Sequence, residues 1–438
     1  PLFSFLILCY TDRKDIEIKR SFDPGITESK VFTITKEILM AALFLAPVYL
    51  AVCFYVLNWM LKWMAVCNNI FALAAFRYGF SALYILTATT LLSSFLIKKP
   101  DGLHRTLKHI SNLWLGTFLY ALIGIGIADF IRILLYFSPL ADASWFHSRL
   151  MFAATGFFTG VLILFFSFYG FFHAKKLYTT TWNISSAKSC SGHDTLKIAL
   201  IADLHLGYNT DEIFLKRLVK RINKLQPDLI IVAGDTFDND FHAIKHPQKC
   251  ASILSALKST YGTYCCYGNH DLDEAILAGF TFGGQKENAD ERFEQFFHDA
   301  GMTLLDDEVR LIENHFYLIG RKDPARCKKL ISEKERLTPN QLTQHLDKSK
   351  PILIIDHQPK ELSLLADAGA DLILGGHTHN GQLFPGNLLL PLMWENPYGL
   401  LKKGNAYSVV TSGAGVWGPN MRLGTKSEIC LVKMQFHS

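Results

Sequence analysis

Several features that often mark a chain's function are missing from this 438-residue sequence. It holds no run of lysines and arginines and no stripe of alternating basic and aromatic residues. With a formal charge of only +5, those absences argue against nucleic acid as a partner. The nine cysteines show no paired spacing; Cys53 and Cys67 lie in or beside an apolar stretch, and Cys265–Cys266 fall inside a buried-looking run. Free thiols in a reducing compartment are the simpler reading than a disulfide framework. No repeat relates one half of the chain to the other, which argues against a transporter built from two similar halves.

What is abundant is apolar surface. Half of the residues are hydrophobic, mean hydropathy is +0.18, and the excess lies before about residue 175. Four stretches approach the ~20 residues that a helix needs to cross a bilayer: Ile38–Leu61, Tyr78–Ile97, Leu113–Ile131 and Met151–Phe172. The apolar stretch Pro1 to Tyr10 is too short to span, and a start at Pro1 rather than Met points to a true N-terminus further upstream. Lys and Arg are rich before the first span, between the second and third (Lys98, Lys99, Arg105, Lys108) and after the fourth (Lys175, Lys176), and poor in the alternate loops. The expectation is a multi-pass protein with both termini in the cytoplasm. Asp129 and Arg132, one turn apart at the end of the third span, read as an ion pair at the bilayer edge. The expected organisation is an N-terminal segment over residues 1–36, a four-span region over 37–176, a linker over 177–195 and an α/β domain over 196–438.

In that last domain, short apolar runs are bounded by Gly, Asp, Asn and His. Leu196–Ala202, Leu229–Ala233, Thr263–Tyr267, Ile352–Ile355 and Leu372–Leu374 read as buried strands. An amphipathic helix over Thr210–Leu225 presents Phe214, Leu218, Ile222 and Leu225 on one face, with Asn209 and Glu212 as a capping box. Ligands of open α/β sheets collect beyond the carboxyl ends of the strands, and these ends are unusual. They carry Asp203-Leu204-His205, Gly234-Asp235-Thr236-Phe237-Asp238, Gly268-Asn269-His270-Asp271, Asp356-His357 and Gly376-His377-Thr378-His379. A buried polar group without a partner costs roughly 1–3 kcal/mol, so such a cluster requires cations to hold it together. Carboxylate and imidazole without thiolate suit Mn, Fe or Zn. The ligand count exceeds one coordination sphere, so two divalent ions are implied, an arrangement suited to in-line displacement at phosphorus.

The order D-x-H, G-D-x-x-D, G-N-H-D, H, G-H-x-H, over about the last 240 residues, resembles the calcineurin-like metallophosphoesterase superfamily. The tail Ser412-Gly413-Ala414-Gly415 with Arg422-Leu423-Gly424-Thr425, together with the membrane half, resembles its branch of transmembrane proteins with a metallophosphoesterase domain. The resemblance implies a four-layer α/β/β/α sandwich behind an all-α four-helix transmembrane region. It implies Asp203, His205 and His379 on one metal, Asn269, His357 and His377 on the other, and Asp235 bridging. His270, oriented by Asp238, protonates the leaving oxygen or stabilises the transition state. Asp271 reads as a helix cap. Arg321 and Asp323 read either as phosphate contacts or as a surface ion pair.

The motifs define a reaction and leave the substrate open. Leu388 to Trp394, immediately after the ligands His377 and His379, forms an apolar loop with Tyr398 close behind. It either dips into the headgroup boundary or covers the sheet as core. The first alternative favours a membrane phosphoester or pyrophosphate such as UDP-2,3-diacylglucosamine, the substrate of lipid A pathway relatives in the superfamily. The others are a phosphodiesterase of soluble nucleotides whose membrane half is only an anchor, and a non-catalytic sensor. The expected partners are the lipid bilayer and a phosphorylated substrate; the sequence names no protein partner.

Overall fold

A computed structural model describes residues 28–138, 148–190, 192, 194–277, 280–282, 285–358 and 360–436. The stretch Pro1 to Tyr10 lies outside the described residues. The chain divides into two compact units, residues 1–51 with 282–284 and residues 52–281 with 285–438. The second unit thus holds both membrane-type helices and the α/β domain.

The helices come first: α1 (Glu28–Cys67), α2 (Ala74–Ala88), α3 (Thr90–Leu96), α4 (Asp101–Tyr136) and α5 (Arg149–Ala174). Three are long and apolar enough to cross a bilayer: α1 over Ala46–Cys67, α4 and α5. The expected second span is instead α2 and α3, bent by 44° at their junction. The cause lies in its threonines. The hydroxyls of Thr87, Thr89 and Thr90 donate back to the carbonyls of Leu83, Leu86 and Thr87, a competition with the helix ladder that bends helices. Among the described residues there are therefore three to four apolar helices of spanning type. Asp129 does more than pair with Arg132 at 3.4 Å. It also accepts from Tyr55 Oη at 2.8 Å and Trp59 Nε1 at 3.1 Å, tying α1 to α4.

The α/β domain is built on two six-stranded sheets. In chain order the strands are β1 (Leu177–Ser186), β2 (Thr195–Ile201), β3 (Leu229–Ala233), β4 (Thr263–Cys266), β5 (Ala275–Leu277), β6 (Phe280–Phe282), β7 (Met302–Leu304), β8 (Glu308–Ile312), β9 (Phe316–Gly320), β10 (Ile352–Ile355), β11 (Leu372–Gly375), β12 (Gly399–Lys403), β13 (Ala406–Val410) and β14 (Ser427–Phe436). One sheet runs β1-β14-β2-β3-β4-β7, the other β12-β13-β11-β10-β9-β8, and β5-β6 form a small sheet of their own. All five expected strands are present. Residues 177–195, expected as a linker, contribute β1, which pairs in parallel with β14 over its whole length. The β-branched run Thr179-Thr180-Thr181 favours that conformation, and its polarity hid it among loop residues.

Three apolar clusters give four layers. Ile198, Leu200, Ile231 and Cys266 of the first sheet pack against Leu318, Leu353, Ile355 and Leu374 of the second. The outer face of the first sheet is covered by α6 (Glu212–Leu225), α7 (Pro247–Leu254) and α8 (Glu291–Asp299), whose Leu218, Leu254 and Phe297 lie against Ile230 and Val232. The outer face of the second is covered by α9 (Pro339–Thr343) and α10 (Leu362–Asp367). This is the α/β/β/α sandwich. Asp211, rather than Asn209, caps α6, its carboxylate accepting from Phe214 N at 2.8 Å. The eight described cysteines are free thiols.

Candidate metal centre

Strand ends converge where the two sheets meet. β2 delivers Asp203 and His205, β3 delivers Asp235 and Asp238, and β4 delivers Asn269 and His270. From the facing sheet β10 delivers His357, and β11 delivers His377 and His379. Asp203, His205, Asp235, His357 and His379 are buried, and the others half-buried. Asp203, His205, Asp235, His377 and His379 all have left-handed backbone, with φ between 44° and 74°. That conformation is costly for residues with a Cβ and collects at functional sites. Two glycines let the loops close on the carboxylates. A Cβ on Gly268 would lie 2.2 Å from Asp235 Oδ1, and one on Gly376 would lie 2.7 Å from Asp203 Oδ2.

Candidate ligand atoms of Asp203, His205 and His379 lie within 4.8 Å of one another, and so do those of Asp235, His357 and His377. Asp235 Oδ2 faces both groups, 3.0 Å from His357 Nε2 and 3.9 Å from His205 Nε2. Asn269 Oδ1 completes the second, 3.2 Å from His357 Nε2. All seven residues expected to hold metal are therefore brought together.

The ring nitrogens show whether a cation fits. His357 Nδ1 donates to the Ala233 carbonyl at 2.8 Å, which fixes the ring with Nε2 turned into the site, as metal-binding histidines are usually held. His377 Nδ1 is buried with no hydrogen-bond partner. The carboxylate, imidazole and amide set, without thiolate, fits two borderline divalent ions. Burial disfavours both charges of the Asp235–His357 pair, but their mutual attraction prevails. It holds Asp235 well below the usual carboxylate range and His357 well above the usual imidazole range. Burial pushes Asp203 up to about 6.

His270 is placed differently from the expectation. Its Nδ1 is bonded to Asn239 Oδ1, whereas Asp238 Oδ1 is directed to His205 Nδ1 at 3.3 Å. Asp238 remains a neighbour of both rings. The left-handed backbone of Asn239 carries its amide across to the ring, so the residue after Asp238 takes the orienting place. Burial lowers the affinity of His270 for a proton. Asp271 is a buried tie between loops rather than a helix cap, accepting from Gly268 N at 2.7 Å and Phe237 N at 2.9 Å.

Arg321 and Asp323 do not form a surface pair. The Arg321 guanidinium is buried against Asp356 at 3.0 Å and Glu361 at 2.7 Å. Asp323 accepts from Ala325 N and Gln358 Nε2. Arg422, which the motif reading assigned no role, is fully buried beside His379.

The apolar loop is not core. Leu388, Leu389, Leu392 and Met393 are exposed, Leu392 by 84%. The loop is nevertheless fixed to the site, since the Trp394 ring centroid lies 5.0 Å from that of His377. Tyr398 turns inward, its hydroxyl 3.2 Å from Glu428 Oε2.

Residues 196–381 match the sequence profile of the calcineurin-like phosphoesterase family, so the chain carries a calcineurin-like metallophosphoesterase domain. It is 30% identical over 244 residues to an uncharacterized metallophosphoesterase of Campylobacter jejuni, covering 55% of this chain and 59% of that one. A Helicobacter pylori metallophosphoesterase, also uncharacterized, is 30% identical over 243 residues, covering 55% and 60%. The transmembrane protein with metallophosphoesterase domain of Danio rerio is 29% identical over 245 residues, covering 53% and 52%. The chain thus spans about three-fifths of the length of the two bacterial relatives and about half of the fish one.

Proposed function

We propose that this chain is a membrane-seated phosphoester hydrolase that acts, with two divalent ions, on an amphiphilic phosphoester or pyrophosphate at the cytoplasmic face. The observation that carries this reading is the convergence of seven metal-competent side chains from five strand ends. Asp203, His205 and His379 would hold one ion, Asn269, His357 and His377 the other, with Asp235 between them; Mn, Fe and Zn suit the donors. Such a pair supplies charge neutralisation for phosphoryl oxygens and acidifies water.

The chain's own groups do the rest. Asn239 fixes His270 through Nδ1, which leaves Nε2 to exchange a proton with the leaving oxygen. Asp238 Oδ1 lies 3.3 Å from His205 Nδ1, on the side of the ring away from His379. Lys108, half-buried on α4, is close enough to Asp238 and Asp240 to feel both carboxylates. Among the described residues it has neither a hydrogen bond nor an ion pair, so it is suited to an anionic headgroup.

The lipid part of the reading rests on the exposed apolar side chains of Leu388–Met393 at the rim of the site, attached to membrane-type helices. Tyr120 of α4 donates to the Phe384 carbonyl at 3.0 Å, and Leu383, with Phe166 and Phe171 of α5, packs on the cluster of Tyr120, Met421 and Leu423. A domain on a passive tether would need no such seat, which favours a membrane substrate over soluble nucleotides. The direct test compares UDP-2,3-diacylglucosamine in mixed micelles with a soluble chromogenic phosphodiester. Preference for the amphiphile is expected; equal turnover of both, unchanged by Leu392→Ser, would leave a soluble-substrate phosphodiesterase.

A further inference from the structure

The segment that carries Arg422 is gripped by two membrane-type helices at one end and by the metal centre at the other. The Met421 side chain is fully buried between glycine notches on α4 and α5. A Cβ on Gly116 would lie 2.3 Å from its Sδ, and one on Gly170 would lie 3.0 Å from its Cε. The backbone is fastened too: Arg422 N donates to the Gly170 carbonyl at 3.0 Å, and His173 Nδ1 lies 3.3 Å from the Arg422 carbonyl. Five residues on, Ser427 Oγ donates to the Ala174 carbonyl at 2.9 Å, at the last turn of α5.

From this anchored backbone the Arg422 guanidinium reaches the loops around the first ligand group. It donates to the carbonyls of Gly415 at 2.7 Å, Lys426 at 3.0 Å, Gly413 at 3.2 Å and His379 at 3.4 Å. It also reaches Thr425 Oγ1 and, at 3.3 Å, His379 Nδ1. Gly413 in turn abuts Asp203, where a Cβ would meet the Asp203 side chain at 2.8 Å. A fully buried guanidinium without a carboxylate partner among the described residues is expensive, and here a ring of carbonyls offsets the cost. Its planar fork holds several chain segments at fixed separation, which a lysine cannot do.

We propose that α4 and α5 are part of the scaffold of the metal centre. Arg422 is the positioning residue that fixes His379 and Asp203 relative to the Gly116–Met421–Gly170 lock. The inference rests on reading these two residues as ligands and goes beyond the proposed function. It gives the membrane helices a role in building one of the two ion sites; the site of Asn269, His357 and His377 meets that one through Asp235 and through His377 N, which donates to Asp203 at 3.0 Å.

The test uses the full chain in detergent or nanodiscs, titrated with Mn²⁺ alone and followed by paramagnetic resonance and metal analysis. Wild type should take up two ions with the signature of a coupled pair. Arg422→Ala, Arg422→Lys and Met421→Ala should each weaken one ion roughly ten- to a hundredfold, the range for losing a group that orients a ligand, and leave a mononuclear signal from the other. Retention of that second ion shows that the domain is folded. Gly170→Leu should reproduce the loss from within the helix, and adding Met421→Ala should partly restore the pair. Two ions bound at wild-type affinity in Arg422→Ala and Gly170→Leu would overturn the inference alone. Failure of wild type to bind any ion would overturn the proposed function instead.

Discussion

The Nε2 atoms of His205 and His379 face each other at 3.0 Å across 174 positions of sequence, both rings buried. Two imidazole nitrogens at that distance need a proton or a cation between them, because two lone pairs repel. Asp203 Oδ1, 3.6 Å from His379 Nε2, adds negative charge at the same point. A divalent ion satisfies all three groups at once. His205→Ala should therefore lose one ion per chain by metal analysis and lower turnover at least about a hundredfold, the scale set by loss of metal-supplied charge stabilisation.

Asp235 stands between the two groups, so its charge matters to both. Asp235→Asn preserves shape and removes the negative charge. Both ions should bind more weakly, and turnover should fall further than in any single histidine variant. Inductively coupled plasma analysis beside kinetics checks this; full metal content with ordinary turnover would remove Asp235 from the bridging position.

His270 is a different case, since it is read as a proton carrier rather than a ligand. His270→Ala should keep two ions and lose roughly 10²–10⁴ in kcat, the usual range for general acid–base catalysis. Asn239→Ala, which frees the ring, should lose less and change KM little. Loss of metal in His270→Ala would show instead that the ring is a ligand.

Gly376→Ala puts a Cβ 2.5 Å from that of Ala202 and 2.7 Å from Asp203 Oδ2. Overpacking of this kind costs typically about 1–3 kcal/mol. The midpoint of thermal unfolding should drop, and the ion beside Asp203 should be lost before the other.

Much of this arrangement was legible in the sequence. The five strands that carry ligands are apolar runs, broken only by Lys197 in β2 and closed by Gly or Asp, and buried strands read clearly when their period is that simple. The ligands were legible because such residue types at strand ends have few other uses. Partners that act at a distance left no local trace. Arg422 meets His379 through a contact 43 positions apart, and Asn239 meets His270 across 31. The bend at Thr89 was hidden because threonine satisfies a hydropathy window while its hydroxyl loosens the helix. Strand β1 was hidden because a threonine run beside a membrane span resembles a linker.

The exposed rim gives a further expectation. The double substitution Leu388→Ser with Leu392→Ser removes two leucines, each worth about 1.5–3 kcal/mol when buried. Turnover of a micellar phospholipid-type substrate should drop about tenfold or more, while a soluble phosphodiester is hydrolysed as before. Both side chains point to solvent, so metal content should not change.

The central claim is a paired-ion site, and counting ions against activity tests it most directly. Purified full chain should contain two divalent ions per molecule and lose phosphoester hydrolysis on chelation. Activity should return only as the second equivalent of Mn²⁺, Fe²⁺ or Zn²⁺ is restored. Hydrolysis that persists after both ions are removed, or full activity with one equivalent, would contradict the account.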